Sequence, residues 1–87
     1  MNFDIEQLKK KIIYRSSYRG TKEMDKLLSA FTKKYIHKLS INDLKDLDNL
    51  LNIDDDNLYN YFRGNKTEVV FEENKINNLF KNFNYNE

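Results

Sequence analysis

The chain has 87 residues and a mass of 10.6 kDa, with no Cys, no Pro, no Trp and a single His. Domains usually run to ~100–150 residues, so the sequence reads as a single helical domain over residues 1–87, and a chain this short buries only roughly 60–65% of its unfolded surface. The missing Cys excludes a disulfide framework, a thiolate zinc site and a thiol nucleophile, and the lone His excludes a multi-His metal site. The net charge of +1 is a cancellation: residues 1–39 carry ten basic and four acidic side chains, +6, and residues 40–87 carry five basic and ten acidic, −5. That split fits either a basic face for one partner or charges that mix on folding. A pI of 7.9 lies below the ~9 usual for a dedicated nucleic-acid binder.

In chain order, the N-terminus Met1-Asn2-Phe3-Asp4-Ile5-Glu6 carries acids too early for a secretory or transit signal, so the chain is expected to work where it is made or to be already processed. Helix 1 is expected over 4–19, with Ile5, Leu8 and Ile12 at helical spacing and acids in the first turn. Gly20 is expected to end it in the left-handed conformation. Helix 2 is expected over 21–36, capped by Thr21, with Glu23 in its first turn. Met24, Leu27, Leu28, Phe31 and Tyr35 form the clearest amphipathic stripe in the sequence and read as core. Helix 3 is expected over 41–52: Ser40 caps it, Asp43 makes a variant capping box, and Leu39 and Leu44 take the staple positions. Leu44, Leu47, Leu50 and Leu51 supply its buried face, and Asn52 is expected to close it in the left-handed conformation.

Helix 4 is expected over 55–63, opened by the run Asp54-Asp55-Asp56-Asn57, with Leu58, Tyr61 and Phe62 inward and Gly64 closing it. The acid run lacks the alternating ligands, the Gly and the distal Glu of an EF-hand loop, so capping and the helix dipole explain it and no metal is expected. Val69 and Val70 read as an extended connection. Helix 5 is expected over 71–83, with Ile76, Leu79, Phe80 and Phe83 on one face, and the tail 84–87 is expected to fray. The sum is an all-α protein, a compact five-helix bundle.

No catalytic residue emerges. His37 stands beside Lys38 with no acid near it in sequence, and Gly20 and Gly64 cannot make a phosphate loop. The informative segment is Tyr14-Arg15-Ser16-Ser17-Tyr18-Arg19-Gly20-Thr21-Lys22-Glu23-Met24-Asp25. It concentrates charge and aromatic rings at a helix junction, and Arg and Tyr are the residue types enriched in interface hot spots.

Within it, Arg19-Gly20-Thr21-Lys22-Glu23 resembles the Arg-Gly-x-x-Glu signature of SdhE-type FAD assembly factors, the succinate dehydrogenase assembly factor family. The likeness runs over roughly residues 8–83. Lys26-Leu27-Leu28 and Phe31 resemble the family's second helix. Leu50-Leu51, the acid run and Asp56-Asn57-Leu58-Tyr59-Asn60-Tyr61 resemble its Leu-Leu…Asp-Leu-x-x-Trp stretch, and Val70-Phe71-Glu72-Glu73 to Phe83 resembles the last helix of its mitochondrial members. Tyr18 stands where the family often has a second Arg, with Arg15 one helical turn back as a substitute cation. Tyr61 replaces the family's Trp, and Asp56 its Pro.

The resemblance implies a five-helix bundle that is not itself an enzyme. It would bind the flavoprotein subunit of succinate dehydrogenase, and of fumarate reductase in some bacteria, and promote covalent attachment of FAD to a histidine there. FAD would be handled on the partner, with no cofactor held stably by this chain, no nucleic acid, no membrane insertion, and a monomer when free. The place of action would be the bacterial cytoplasm or the mitochondrial matrix. The implied partner-binding residues are Arg19, Gly20 and Glu23, joined by Arg15, Tyr18 and Asp25. Arg19 is expected to dock on a partner carboxylate or carbonyl, Gly20 to allow close backbone approach, and Glu23 to orient Arg19 or meet a basic group on the partner. From the residues alone, a small regulatory module that binds nucleic acid or a toxin-like protein through the basic first half stays open, with Lys9-Lys10-Lys11 as its feature.

Overall fold

Each helix begins on a side chain that accepts a hydrogen bond from its own first turn. Asp4 accepts from the Gln7 amide, Thr21 from Met24, Ser40 from Asp43, Asp54 from Asn57 and Asn74 from Asn77. These caps satisfy amides that a helix start leaves without a partner. The computed structural model describes residues 4–85, so the expectations resting on residues 1–3 and 86–87 lie outside the described residues. Among those described there are five helices and no strand: α1 (Ile5–Ser17), α2 (Lys22–Tyr35), α3 (Ile41–Leu50), α4 (Asp55–Arg63) and α5 (Lys75–Lys81).

The α2 stripe lies where its spacing places it. Met24, Leu27, Leu28 and Phe31 are buried, and Tyr35 packs half-buried beside them. Ile12 of α1, Leu44, Leu47 and Leu50 of α3, Leu58 of α4, and Ile76 and Phe80 of α5 close the same core. Each fully buried aliphatic or aromatic side chain contributes roughly 1.5–3 kcal/mol relative to exposure. Phe31 is the hub of the aromatic part, edge-on to Tyr35, Phe80 and Phe83 at 5.2–5.3 Å between centroids. Helix α1 packs on α2 and α3, and α5 packs on α3 and α4.

Several expected boundaries move. Helix α1 stops at Ser17, not Arg19, because the Ser16 and Ser17 hydroxyls both donate back to the Ile13 carbonyl at 2.9 Å, and Tyr18 leaves helical dihedrals. Gly20 does not adopt positive φ. Among the described residues only Gly64 does, at +77°, where it ends α4. Asn52 is not left-handed either. Helix α3 ends at Leu50, and the Asn52 and Ile53 amides reach back three residues to the Asn49 and Leu50 carbonyls.

Helix α5 starts at Lys75 rather than Phe71, because Asn74 takes the cap and the Asn77 side-chain amide ties the Glu72 carbonyl across the approach. Phe71 leaves the helix and stacks flat on Tyr61, 3.9 Å between centroids. Asp43 turns its carboxylate to Lys75, so the reciprocal half of the capping box is absent.

Candidate partner-binding face at the α1–α2 turn

Arg15, in the last turn of α1, and Arg19, two residues past its end, reach the same place, the connection between α3 and α4. Arg15 Nη1 donates to Asp48 Oδ1 at 2.7 Å, and its Nη2 to the Leu51 carbonyl at 3.2 Å and to the Asn52 side chain. Arg19 Nη1 donates to the same Leu51 carbonyl at 3.0 Å, and its Nη2 to the Ile53 carbonyl at 3.0 Å. The end of α3 exposes carbonyls and the negative pole of its dipole, and its own last turn carries no basic residue. Arg15 and Arg19 supply the missing cations from across the fold.

Asp55 completes the lock. Its Oδ1 accepts from Arg19 Nε at 2.8 Å, and its Oδ2 accepts from the Gly20 amide at 2.8 Å. The Arg19 amide donates to Asp25 Oδ1. The Arg19 side chain is 11% exposed, and with a further contact to the Arg15 carbonyl four of its five guanidinium N–H groups are engaged. Gly20 owes its place to close approach: a Cβ there would lie 3.0 Å from Asp55 Oδ2, which Arg19 holds in position. Inside the molecule, the close approach that Gly20 allows is toward Asp55.

The six sequence-implied residues therefore divide. Arg15, Arg19, Gly20 and Asp25 face each other or the α3–α4 connection. Glu23 and Tyr18 face outward. Arg19 pairs with Asp55, not with Glu23, and the Glu23 carboxylate has no hydrogen bond or ion pair among the described residues. Glu23 stands between two shallow clefts. One, of about 200 Å³, is shared with Thr21, Asp55 and Tyr59, and the other, of about 340 Å³, with Leu27, Tyr59, Phe62 and Arg63. The Arg63 guanidinium lies 6.0 Å from the Tyr59 ring centre. Tyr18 is 71% exposed, and Tyr14 beside it 65%.

Asp48 and Asp55 are members of this cluster that sequence reasoning missed. The signals present were the acid run, which holds more carboxylates than one cap needs, and the opposite charges of the two halves. Lys11, Arg15 and Arg19 of the basic half pair with Asp48 and Asp55 of the acidic half. Asp54 serves as a cap, and the Asn57 side-chain amide, with the Asn57 backbone N–H second, holds its carboxyl below the usual range. No group of three or more potential metal ligands occurs among the described residues, and no helix there is long and apolar enough to cross a membrane.

The described residues thus define an all-α bundle built round one ion-locked helix junction, with an unpaired acid and a pair of exposed rings beside it. The protein family described as flavinator of succinate dehydrogenase matches residues 10–84, and the chain belongs to that family. The Dictyostelium discoideum protein named succinate dehydrogenase assembly factor 2, mitochondrial, is 41% identical over 69 residues, 79% of this chain and 48% of that protein. The proteins of the same name from Saccharomyces cerevisiae (strain YJM789) and Candida glabrata are 38% identical over 58 residues and 34% identical over 82 residues. These cover 67% and 93% of this chain, and 36% and 54% of theirs. The chain thus spans about half or less of the length of the relatives it matches. No solved structure matches it.

Proposed function

We propose that this chain is an assembly factor without a reaction of its own. It binds the flavoprotein subunit of succinate dehydrogenase and promotes covalent attachment of FAD to a histidine of that subunit. The observation that carries the reading is the family match over residues 10–84, which includes the whole Arg19–Asp25 junction. The flavoprotein of fumarate reductase is a second candidate client of the same chemistry. FAD stays on the client, and the chain acts as a monomer where that client is assembled, the mitochondrial matrix in a eukaryote or the cytoplasm in a bacterium.

The geometry supports a division of labour. The attachment chemistry lies within the flavoprotein, and the factor lowers its barrier by holding that subunit in a reactive arrangement. Such a template must itself be held in place. Arg15, Arg19, Gly20, Asp25 and Asp55 fix the α1–α2 turn against α4. Glu23 is the contact group: exposed and without a partner among the described residues, it is free to meet a basic side chain of the client. A protein client is favoured over nucleic acid because three cations of the basic half are already neutralised within the fold.

The test is co-expression with the flavoprotein subunit from the same organism, with covalent flavin read as fluorescence in a denaturing gel. The chain is expected to raise the signal, and Glu23→Ala to abolish most of the gain while leaving the helical circular dichroism intact. Equal signal with and without the chain overturns the proposal.

A further inference from the structure

One stripe along α1 and its C-cap does not join the hydrophobic core of the described residues. Lys10 and Tyr14, four residues apart, share one edge of the helix away from the buried Ile12 and Ser16, and Tyr18, the C-cap residue, continues that edge through its ring contact with Tyr14. The two rings lie 4.6 Å apart between centroids, tilted by 39°. Every other ring pair among the described residues includes a ring buried in, or packed against, the hydrophobic core; Tyr14 and Tyr18 do not join that core. At 65% and 71% exposure they present together roughly 300 Å² of side chain, the scale of the largest patches on ordinary monomers.

A tyrosine has few rotatable bonds, and mutual stacking restrains both rings before any partner arrives, which lowers the entropic cost of burying them. Along this edge of α1 the acid, Glu6, is already paired with Lys9 at 3.8 Å. Lys10 lies one turn before Tyr14, and Lys22 opens α2 just after the turn. Both are exposed, and neither has an ion pair among the described residues.

We propose that the Lys10–Tyr14–Tyr18 stripe is a docking surface for an acidic segment of the flavoprotein subunit. Carboxylates of that segment meet Lys10 and Lys22, and its aliphatic side chains cover the two rings. The inference rests on the flavoprotein as client and adds to Glu23 a second contact that the intramolecular lock does not use. The stripe supplies affinity, while Glu23 sits across the turn at the clefts.

The experiment measures the affinity of the purified chain for the purified flavoprotein subunit by titration calorimetry. Replacing both rings, Tyr14→Ala with Tyr18→Ala, is expected to weaken binding ~10–100-fold. The unfolding temperature should not move, since the rings contribute little to the core. Tyr14→Phe with Tyr18→Phe keeps the ring area and is expected to bind within ~3-fold of the unaltered chain. Lys10→Glu is expected to weaken binding at low salt, with the deficit shrinking as salt rises past ~0.15 M. Unchanged affinity in the alanine pair, or a loss in the phenylalanine pair as deep as in the alanine pair, overturns the stripe while leaving the flavoprotein reading in place. No binding by the unaltered chain overturns that reading and the stripe with it. Tight binding of the unaltered chain to a mixed-sequence DNA duplex, lost in the alanine pair, overturns it in favour of nucleic acid.

Discussion

Replacing Arg19 by Ala tests the lock directly. The change removes the Asp55 ion pair and the donor that satisfies the Ile53 carbonyl, while the Leu51 carbonyl keeps its bond from Arg15 Nη2 at 3.2 Å. A hydrogen bond involving a charged group contributes roughly 1.5–3 kcal/mol, and stranding one member of a fully buried ion pair costs roughly 3–5 kcal/mol. Neither extreme applies in full. Asp55 is 23% exposed on its side chain and keeps the Gly20 amide, and the Leu51 carbonyl keeps Arg15. A net loss of about 2–3 kcal/mol follows. For a domain of this size each kcal/mol shifts Tm by ~4–8 °C, so Arg19→Ala should melt roughly 10–20 °C lower.

The assay is urea and thermal unfolding followed by far-ultraviolet circular dichroism, closed into a double-mutant cycle with Asp55→Ala. The expected coupling is about 1–2 kcal/mol, and it should persist at high salt because the pair is largely shielded from solvent. A single variant within ~0.5 kcal/mol of the parent, or a coupling near zero, would refute the idea that Arg19 is a structural strut.

Other expectations follow from the same geometry. Gly20→Ala should lose about 0.5–1 kcal/mol by crowding Asp55 Oδ2, and the same change made in an Asp55→Ala background should be neutral or slightly stabilising, as checked by urea midpoints. Gly64→Ala should cost about 1–2 kcal/mol, because the residue sits at φ +77° with open space around it and pays only in backbone strain. The Asp54 carboxyl is held below its ordinary value in the fold. Its contribution is therefore present above the unfolded pKa of 3.8 and lost as pH falls through the folded value. Asp54→Ser keeps a cap without the titration, so its Tm should fall less steeply below that pH than the parent's. In the flavin-attachment assay, Arg19→Ala should recover at low temperature as the folded fraction recovers, whereas Glu23→Ala should stay impaired at every temperature.

The parts of this fold that were legible in the sequence are those encoded locally. Thr21, Ser40 and Asp54 announce helix starts because a cap and its amide are three residues apart. The α2 stripe announces the core because helical periodicity and burial share one geometry. The start of α5 was missed although its cap, Asn74 on the Asn77 amide, is local, since Phe71 reads as part of the apolar face while in the fold it stacks on the Tyr61 ring. The lock was hidden for a different reason. Arg15 lies 33 residues from Asp48, and Arg19 lies 36 from Asp55, separations at which spacing carries no signal. Gly20 is the sharpest case. In sequence it reads as a helix stop that needs left-handed backbone, but its requirement is space for a carboxylate from another helix.

The physical need for an ionic lock, rather than more apolar packing, lies in the shortness of the α3–α4 connection. Residues 51–54 must leave one helix and cap the next, so the carbonyls of Leu51 and Ile53 face the interior edge of the bundle without helical partners. An aliphatic side chain from α1 would bury those carbonyls unsatisfied, at a cost of roughly 1–3 kcal/mol each. A lysine would bring one compact ammonium where separated acceptors must be met at once. Only the planar guanidinium reaches Asp55 on one edge and the carbonyls on the other. The Arg of the Arg19–Glu23 signature thereby has a task inside the fold of this chain. The Glu makes no hydrogen bond or ion pair among the described residues, which is why the proposed client contact is assigned to it.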